Sequence, residues 1–124
     1  MAYKYDDENI FAKILRGEIP NDTVLENEYA LAFRDINPQR PHHVLIIPKG
    51  RYISFDHFAK EASNDEIIGY IQAIGAVCDL LNVSIDNGDG FRMIANSGEH
   101  GVQEVPHLHV HILGGSSCGR MIQS

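Results

Sequence analysis

Residues 105–115 read VPHLHVHILGG and place histidines at the alternate positions 107, 109 and 111. In a β-strand, side chains two residues apart point to the same face and lie about 7 Å from one another. A strand therefore puts three imidazoles on one face and the apolar residues between them on the buried face. A helix would turn the middle histidine away from the other two. We predict a strand that begins at Pro106 and ends at the glycine pair 114–115.

Length and composition indicate one globular domain. The chain has 124 residues, of which 44% are hydrophobic and 22% are charged, values that are ordinary for a globular protein with its own core. We expect a single domain over 1–124 with loose ends at 1–8 and 119–124. The formal net charge of −7 argues against a general binder of nucleic acids or membrane surfaces, because both need a field of opposite sign.

The cysteines and the apolar runs indicate in which cellular compartment the protein is found. Cys78 and Cys118 form no CxxC motif and no disulfide framework, which is typical of thiols in a reducing environment. No apolar run reaches the length of a membrane span, and the N-terminus lacks the apolar core of a signal peptide. We expect a cytoplasmic protein.

Apolar spacing predicts the remaining elements. They are helices over 9–16 and 63–81 and strands over 23–26, 29–34, 44–47 and 91–95. The run 44–47 is continuously apolar, which favours a central strand covered on both faces. Together with the histidine strand, these segments predict an α+β fold: an antiparallel sheet of about five strands with one short and one long helix.

The long helix carries its own start signal and an apolar stripe. Ser63 and Glu66 have the spacing of a capping box, in which each side chain bonds the other residue's backbone amide. The predicted buried stripe consists of Ile67, Ile71, Ile74, Cys78 and Leu81. Gly69 and Gly75 weaken a helix, so we expect another element to approach them closely, for example a partner subunit.

Three alternate histidines are compatible with a structural role, a metal site or catalysis. Isolated histidines such as His57 or His100 are usually structural, but three on one face repel one another when protonated. A His-x-His pair can bind zinc. However, residues four apart on a flat strand lie about 14 Å from each other. The outer two histidines of one strand therefore cannot both reach a single metal ion, and a third ligand usually comes from another element.

Nucleophilic catalysis at phosphorus gives each histidine a separate role. Neutral imidazole is a nucleophile near neutral pH, and a covalent intermediate divides one displacement into two. The central histidine would attack, with its far nitrogen held by a hydrogen bond. The flanking histidines would donate to phosphate oxygens or to the leaving group. We favour this interpretation.

The same residues resemble a known family. Residues 107–113, HLHVHIL, match the signature of the histidine-triad (HIT) superfamily of nucleotide hydrolases and transferases. Further matches in the same order are residues 10–11 (IF), 35–39 (DINPQ), 41–49 (PHHVLIIPK), 103–105 (QEV) and the glycine pair after the triad. This set is similar to the Hint branch, the purine nucleoside phosphoramidases. The resemblance implies a homodimer with the sheet extended across it.

The resemblance also implies roles for individual residues. His109 would be the nucleophile, and His111 would contact the phosphate and assist the leaving group. His107 and His43 would complete the imidazole cluster, with His43 rather than His42 facing the site. The implied nucleotide contacts are Asp35 at the ribose hydroxyls, Asn96 and Gln103 near the phosphate or ribose, and Ile10, Phe11, Phe33 and Ile36 around the purine base.

The chain departs from the family pattern at several positions. Asn9 and Ala12 replace a cysteine pair that binds zinc in some relatives, so we expect no metal and no cofactor. Glu104 stands where animal members have a serine, Val102 replaces a common glycine, and the C-terminal tail lacks a tryptophan. Because of these differences, the resemblance does not specify which leaving group the protein prefers. The alternatives are a dinucleoside polyphosphate hydrolase, a nucleotide-binding scaffold with vestigial activity and a metal-dependent hydrolase.

Overall fold

The computed structural model describes residues 3–122, which form a five-stranded antiparallel sheet and three helices. In chain order these are α1 (Ile10–Leu15), β1 (Thr23–Glu26), β2 (Ala30–Arg34), β3 (His42–Pro48), α2 (Phe55–Glu61), α3 (Asn64–Leu80), β4 (Phe91–Ala95) and β5 (Val110–Gly114). The strand order is β1-β2-β3-β5-β4. The α+β prediction with an antiparallel sheet of five strands is confirmed. None of the helices in the described part of the chain has the length and apolarity that crossing a bilayer requires.

The central strand β3 separates two apolar clusters. Val44 and Ile46 belong to the cluster that contains α3, whereas Leu45 and Ile47 pack with α1 on the other face. All four side chains are at most 6% exposed. The prediction that 44–47 is covered on both faces is therefore confirmed, and the site described below lies on the α1 face.

Helix α3 begins as predicted but turns a different stripe inward. The capping box between Ser63 and Glu66 is present. Ile71 is 57% exposed, whereas Tyr70 is 1% exposed, so the predicted stripe is wrong at Ile71. Isoleucines occur on both sides of this helix, and the side facing the sheet is the one that carries Tyr70, whose hydroxyl donates to the Ile46 carbonyl at 2.7 Å.

The two glycines of α3 have different surroundings. A Cβ on Gly69 would lie 2.5 Å from a ring atom of Tyr29, so Gly69 permits a close contact within this chain. A Cβ on Gly75 would meet no heavy atom within 4 Å. Contact of Gly75 with a partner subunit stays a prediction.

Helix α2 is absent from the sequence prediction of one short and one long helix. It is short, and its buried residues are His57 and Phe58. Two such side chains are too few to display helical periodicity. His57 fills a structural position, since its Nδ1 accepts from the Ile53 amide at 3.0 Å.

The histidine strand begins later than predicted. Strand β5 starts at Val110, so the prediction of a strand from Pro106 is wrong for residues 106–109. Upstream, the Leu108 amide donates to the Tyr52 carbonyl at 2.8 Å, and the Pro48 carbonyl lies 2.8 Å from the ring of His107. Pro48 also has no amide hydrogen with which to continue the ladder. The side chains of Leu108, Val110 and Ile112 are nevertheless buried as predicted.

The termini are less loose than the sequence suggests. In residues 3–8, the side chains of Tyr3, Tyr5 and Asp7 all make hydrogen bonds to the rest of the fold. Near the other end, Arg92 donates to the carbonyls of residues 118–120. Residues 1–2 and 123–124, also predicted to be loose, lie outside the described residues.

Candidate active site

A cavity of about 530 Å³ opens on the α1 face of the sheet. Its wall includes eight of the predicted site residues, namely Ile10, Phe11, Phe33, Asp35, Ile36, Asn96, His109 and His111, together with Val102 and Glu104. Three predicted residues, His43, His107 and Gln103, do not line it. The volume is within the range of small-molecule sites.

The ring of His109 is fixed in one tautomer. Its Nδ1 lies 2.8 Å from the backbone carbonyl oxygen of His107. A carbonyl can only accept, so Nδ1 carries the hydrogen and Nε2 of the neutral ring holds a lone pair. Among residues 3–122, Nε2 has no hydrogen-bond partner and is not buried. Burial lowers the pKa of His109 below 6.5, against the opposing effects of its bond to His107, of Asp35 and of Glu104.

A chain of hydrogen bonds fixes His111 in the opposite tautomer. The Gln39 backbone amide donates to Nδ1 of His43 at 3.0 Å, so the hydrogen of neutral His43 is on Nε2. That nitrogen lies 2.9 Å from Nδ1 of His111 and donates to it. His111 must therefore carry its own hydrogen on Nε2. The neighbouring imidazoles consequently offer different groups, a lone pair on His109 and an N–H donor on His111, with their ring centroids 5.1 Å apart.

The imidazole cluster is uncharged at neutral pH. Burial, followed by the proximity of His109 and His43, lowers the pKa of His111 to about 4. Burial also lowers the pKa of His43, although Asp35 opposes the shift. The one lysine or arginine among the cavity-lining residues of the described chain is Arg34, which lies 3.8 Å from Asp22. A phosphate in this cavity would meet N–H donors rather than a cluster of cations.

His107 supports the site from behind. Its ring is fully buried, with Nε2 donating to the Pro48 carbonyl at 2.8 Å. The hydroxyl of Tyr5 lies 2.5 Å from Nδ1 and donates to it. Burial is the main reason that the pKa of His107 falls to about 4. The ring is thus neutral, and its backbone carbonyl is the group that orients His109.

Asp35 connects the turn after β2 to the histidines. Its Oδ1 accepts from the Asn37 amide at 2.8 Å, an Asx turn that ends the strand. Its Oδ2 lies 3.3 Å from Nε2 of His43. The carboxylate therefore stands at the cavity wall between the imidazoles and the apolar part of the pocket.

The apolar part of the cavity has a rigid floor and exposed flanks. The rings of Phe11 and Phe33 pack edge to face with their centroids 5.6 Å apart, and both side chains are buried. Ile10 is 46% exposed and Ile36 is 90% exposed. Such a slot suits a flat aromatic group placed against apolar side chains.

Gln103 shapes the loop over 96–104 instead of lining the cavity. Its Oε1 accepts from the Gly98 amide at 3.1 Å, and its Nε2 donates to the carbonyls of Ile53 and Val105 at 2.6 and 3.0 Å. Contact of Gln103 with a nucleotide stays a prediction. Sequence reasoning did not find Tyr5, which lies in no motif. It also did not find the amide of Gln39, because the motif over 35–39 gives no sign that a backbone group takes part.

One set of side chains has the spacing of a cation site. Ligand atoms of Asp35, His43 and His111 all lie within 4.8 Å of one another. The ring nitrogens of the two histidines already bond each other. At the N-terminus, Asn9 caps α1 by accepting from the Ala12 amide at 2.9 Å. The expectation of no metal and no cofactor stays a prediction.

Comparison with known proteins matches these features to one family. A family model described as HIT domain matches residues 16–118. The chain is 50% identical over 122 residues to an uncharacterised 13.2 kDa HIT-like protein of Azospirillum brasilense, covering 98% of both chains. It is 40% identical over 120 residues to the purine nucleoside phosphoramidase of Escherichia coli, covering 94% of both.

A solved structure has the same fold. The HIT family hydrolase of Clostridium thermocellum superposes with a TM-score of 0.79 at 35% identity, covering 95% of this chain and 99% of that one. The family match spans most of the chain and includes the histidines that form the cavity wall. This protein therefore belongs to the HIT domain family.

Proposed function

We propose that this protein hydrolyses purine nucleoside 5′-phosphoramidates to a nucleoside monophosphate and an amine, through a nucleotidyl intermediate on His109. The observation that carries the proposal is the tautomer of His109, whose Nδ1–H bonds the His107 carbonyl and leaves Nε2 with a free lone pair at the cavity wall. The relative from Escherichia coli, named as a purine nucleoside phosphoramidase, supports the same chemistry.

In the first step, Nε2 of His109 attacks phosphorus and the phosphorus–nitrogen bond breaks. The bonding pair goes to the amine nitrogen, which takes up a proton from water at the cavity mouth. Nε2–H of His111 donates to the phosphoryl oxygen or to the departing nitrogen. His109 becomes a cationic phosphoimidazole, which the His107 carbonyl, Asp35 and Glu104 stabilise, since these groups also oppose the lowering of its pKa.

In the second step, water attacks phosphorus on the intermediate. The phosphorus–Nε2 bond breaks, its electron pair returns to His109, and the water proton is released. Over the cycle, the proton gained by the amine balances the proton lost by the water. Nδ1–H stays on the His107 carbonyl throughout, so the ring returns to its starting tautomer.

The nucleoside would occupy the rest of the cavity. The purine lies between Ile10 and Ile36 above the phenyl rings, and the ribose hydroxyls donate to Asp35. An apolar slot of this kind accepts adenine or guanine. Glu104 stands at the wall beside His109, where its negative charge disfavours an anionic leaving group and suits a neutral or cationic amine.

We expect Asp35→Asn to reduce the preference for ribose over deoxyribose. Wild-type kcat/KM should fall about 10- to 100-fold when the 2′-hydroxyl is absent, because Asp35 then loses a donor. In the variant, the ribo and 2′-deoxy substrates should differ by less than about threefold. The measurement is kcat/KM for matched adenosine and 2′-deoxyadenosine phosphoramidates. If both proteins prefer the ribo substrate over the 2′-deoxy substrate to the same degree, a residue other than Asp35 binds the 2′-hydroxyl.

We also propose that the protein is a homodimer joined through β4. This strand is at the edge of the sheet, and its exposed Phe91 and Met93 lie on the same face as α3. An unpaired edge with exposed apolar side chains is suited to pairing with a second copy. Such a dimer would place α3 and its open Gly75 beside the interface.

Met93→Glu should therefore shift the protein from dimer to monomer at micromolar concentration. The matched control is Phe55→Glu, which introduces the same charge at an apolar side chain on α2 that is 51% exposed. Sedimentation equilibrium measures both variants. A wild-type monomer, or a dimer that survives Met93→Glu unchanged, would exclude β4 as the interface.

A further inference from the structure

The segment of residues 3–8, here called the N-terminal strap, is anchored on both sides of Tyr5. On one side, the ring of Tyr3 stacks on His57 with centroids 4.3 Å apart, and its hydroxyl donates to Asp56 at 2.7 Å. On the other side, Asp7 accepts two hydrogen bonds from Arg51 at 2.9 and 2.8 Å. The backbone on either side of Tyr5 is therefore fixed to the fold.

These anchors hold the Tyr5 hydroxyl against His107. The guanidinium of Arg51 lies 5.1 Å from the centroid of the Tyr5 ring and restricts it from one side. The hydroxyl donates to Nδ1 of His107, whose Nε2–H donates to the Pro48 carbonyl. Each ring nitrogen of this fully buried histidine thus has one partner. The Pro48 carbonyl fixes its tautomer, and the two partners together fix its orientation.

Resting on the proposed function, we infer that Tyr5 is a positioning residue for the nucleophile. Tyr5 orients His107, and the carbonyl of His107 orients His109 through its Nδ1–H. The connection contains no ionised group, since every member is a neutral donor or acceptor. The strap therefore contributes to catalysis from outside the family match, which begins at residue 16.

The test is Tyr5→Phe with Tyr3→Phe as the matched control. Both changes remove one hydroxyl from the strap and retain the ring, so the stacking of residue 3 on His57 still anchors the strap in the control. Only the hydroxyl of Tyr5 reaches the triad. We expect Tyr5→Phe to lower kcat about 5- to 10-fold with little change in KM, and Tyr3→Phe to change kcat by less than about twofold. Equal losses in the two variants would reduce the strap to a stabilising role and overturn the inference.

A second readout is independent of turnover. Nitrogen-15 NMR of the substrate-free protein reports whether the unprotonated nitrogen of each histidine accepts a hydrogen bond. Tyr5→Phe should move the Nδ1 resonance of His107 to the position of a free lone pair while the Pro48 carbonyl keeps the hydrogen on Nε2, and Tyr3→Phe should not move it. Tyr5→Phe should also move the acid limb of the kcat profile to higher pH, since loss of the donor to Nδ1 favours protonation there. The titratable and charged groups around this ring are Tyr5 and His109, with Arg51 and Asp7 behind the tyrosine.

Unchanged histidine spectra in Tyr5→Phe would overturn the inference even if the activity fell. Failure of the proposed function is distinguishable, because it would be seen as unchanged turnover after replacement of His109. The NMR measurement does not depend on that result.

Discussion

Replacement of His109 with alanine is expected to lower turnover of an adenosine phosphoramidate by at least about 10³-fold, since loss of a nucleophile removes the whole covalent route. Binding of the nucleoside monophosphate should change little, because the apolar slot and Asp35 are intact. Steady-state kinetics and calorimetric titration with the monophosphate measure the two effects.

The control is His100→Ala, an exposed histidine in the loop over 96–104 that does not line the cavity. It should retain wild-type turnover. Trapping the intermediate with radiolabelled substrate should place the label on His109 in the wild type and nowhere in His109→Ala. Unchanged turnover in that variant would refute the assignment. Loss of wild-type activity after exhaustive chelation would instead favour metal-dependent hydrolysis at Asp35, His43 and His111.

Lowering the pH should begin to destabilise the fold at pH values above those at which carboxylates usually take up protons. The pKa of His107 falls from 6.5 to about 4 on folding because the ring is buried. Between these values the unfolded chain binds a proton that the folded chain does not, so the free energy of unfolding decreases as the pH falls through this window. Above the window both states are neutral, and this histidine contributes no pH dependence.

Linkage gives the size of the effect. For His107 alone, the free energy of unfolding should drop by about 2 kcal/mol between pH 7.5 and pH 5. The pKa values of His43, His109 and His111 are also lowered, so these rings add to the loss. Urea unfolding at the two pH values measures the total, and His107→Gln should reduce the pH-dependent part. If that variant does not fold, NMR titration of His107 tests the same shift, and an ordinary pKa would contradict it.

Local signals in the sequence predict most of the fold. The capping box at Ser63 and the continuous apolar run over 44–47 each depend on neighbouring residues alone, and both are confirmed. The stripe of α3 is different, because Ile71 and Tyr70 both continue an apolar face. Contact with β3 decides between them, and such tertiary contacts cannot be read from one segment. Helix α2 is too short to leave a periodic signal.

The histidine pattern predicts the cavity wall but not how its rings are held. Alternation and family resemblance place His109 and His111 together, and the structure brings both to the cavity. Their tautomers depend on a carbonyl of the triad's own backbone and on the amide of Gln39, which have no side-chain signature. The contact of Tyr5 with His107 is even harder to predict, because the two residues are separated by about one hundred positions in the sequence.

The hydrogen-bond chain that ends at His111 starts from the peptide amide of Gln39. Because the donor belongs to the backbone, the tautomers of His43 and His111 do not depend on which side chain residue 39 carries. A side-chain donor can be exchanged by mutation or can rotate to present an acceptor, but a backbone N–H can do neither. Evolution can therefore vary the side chain at position 39 freely without reversing the polarity of the two imidazoles. Proline is the exception, since it alone lacks the hydrogen.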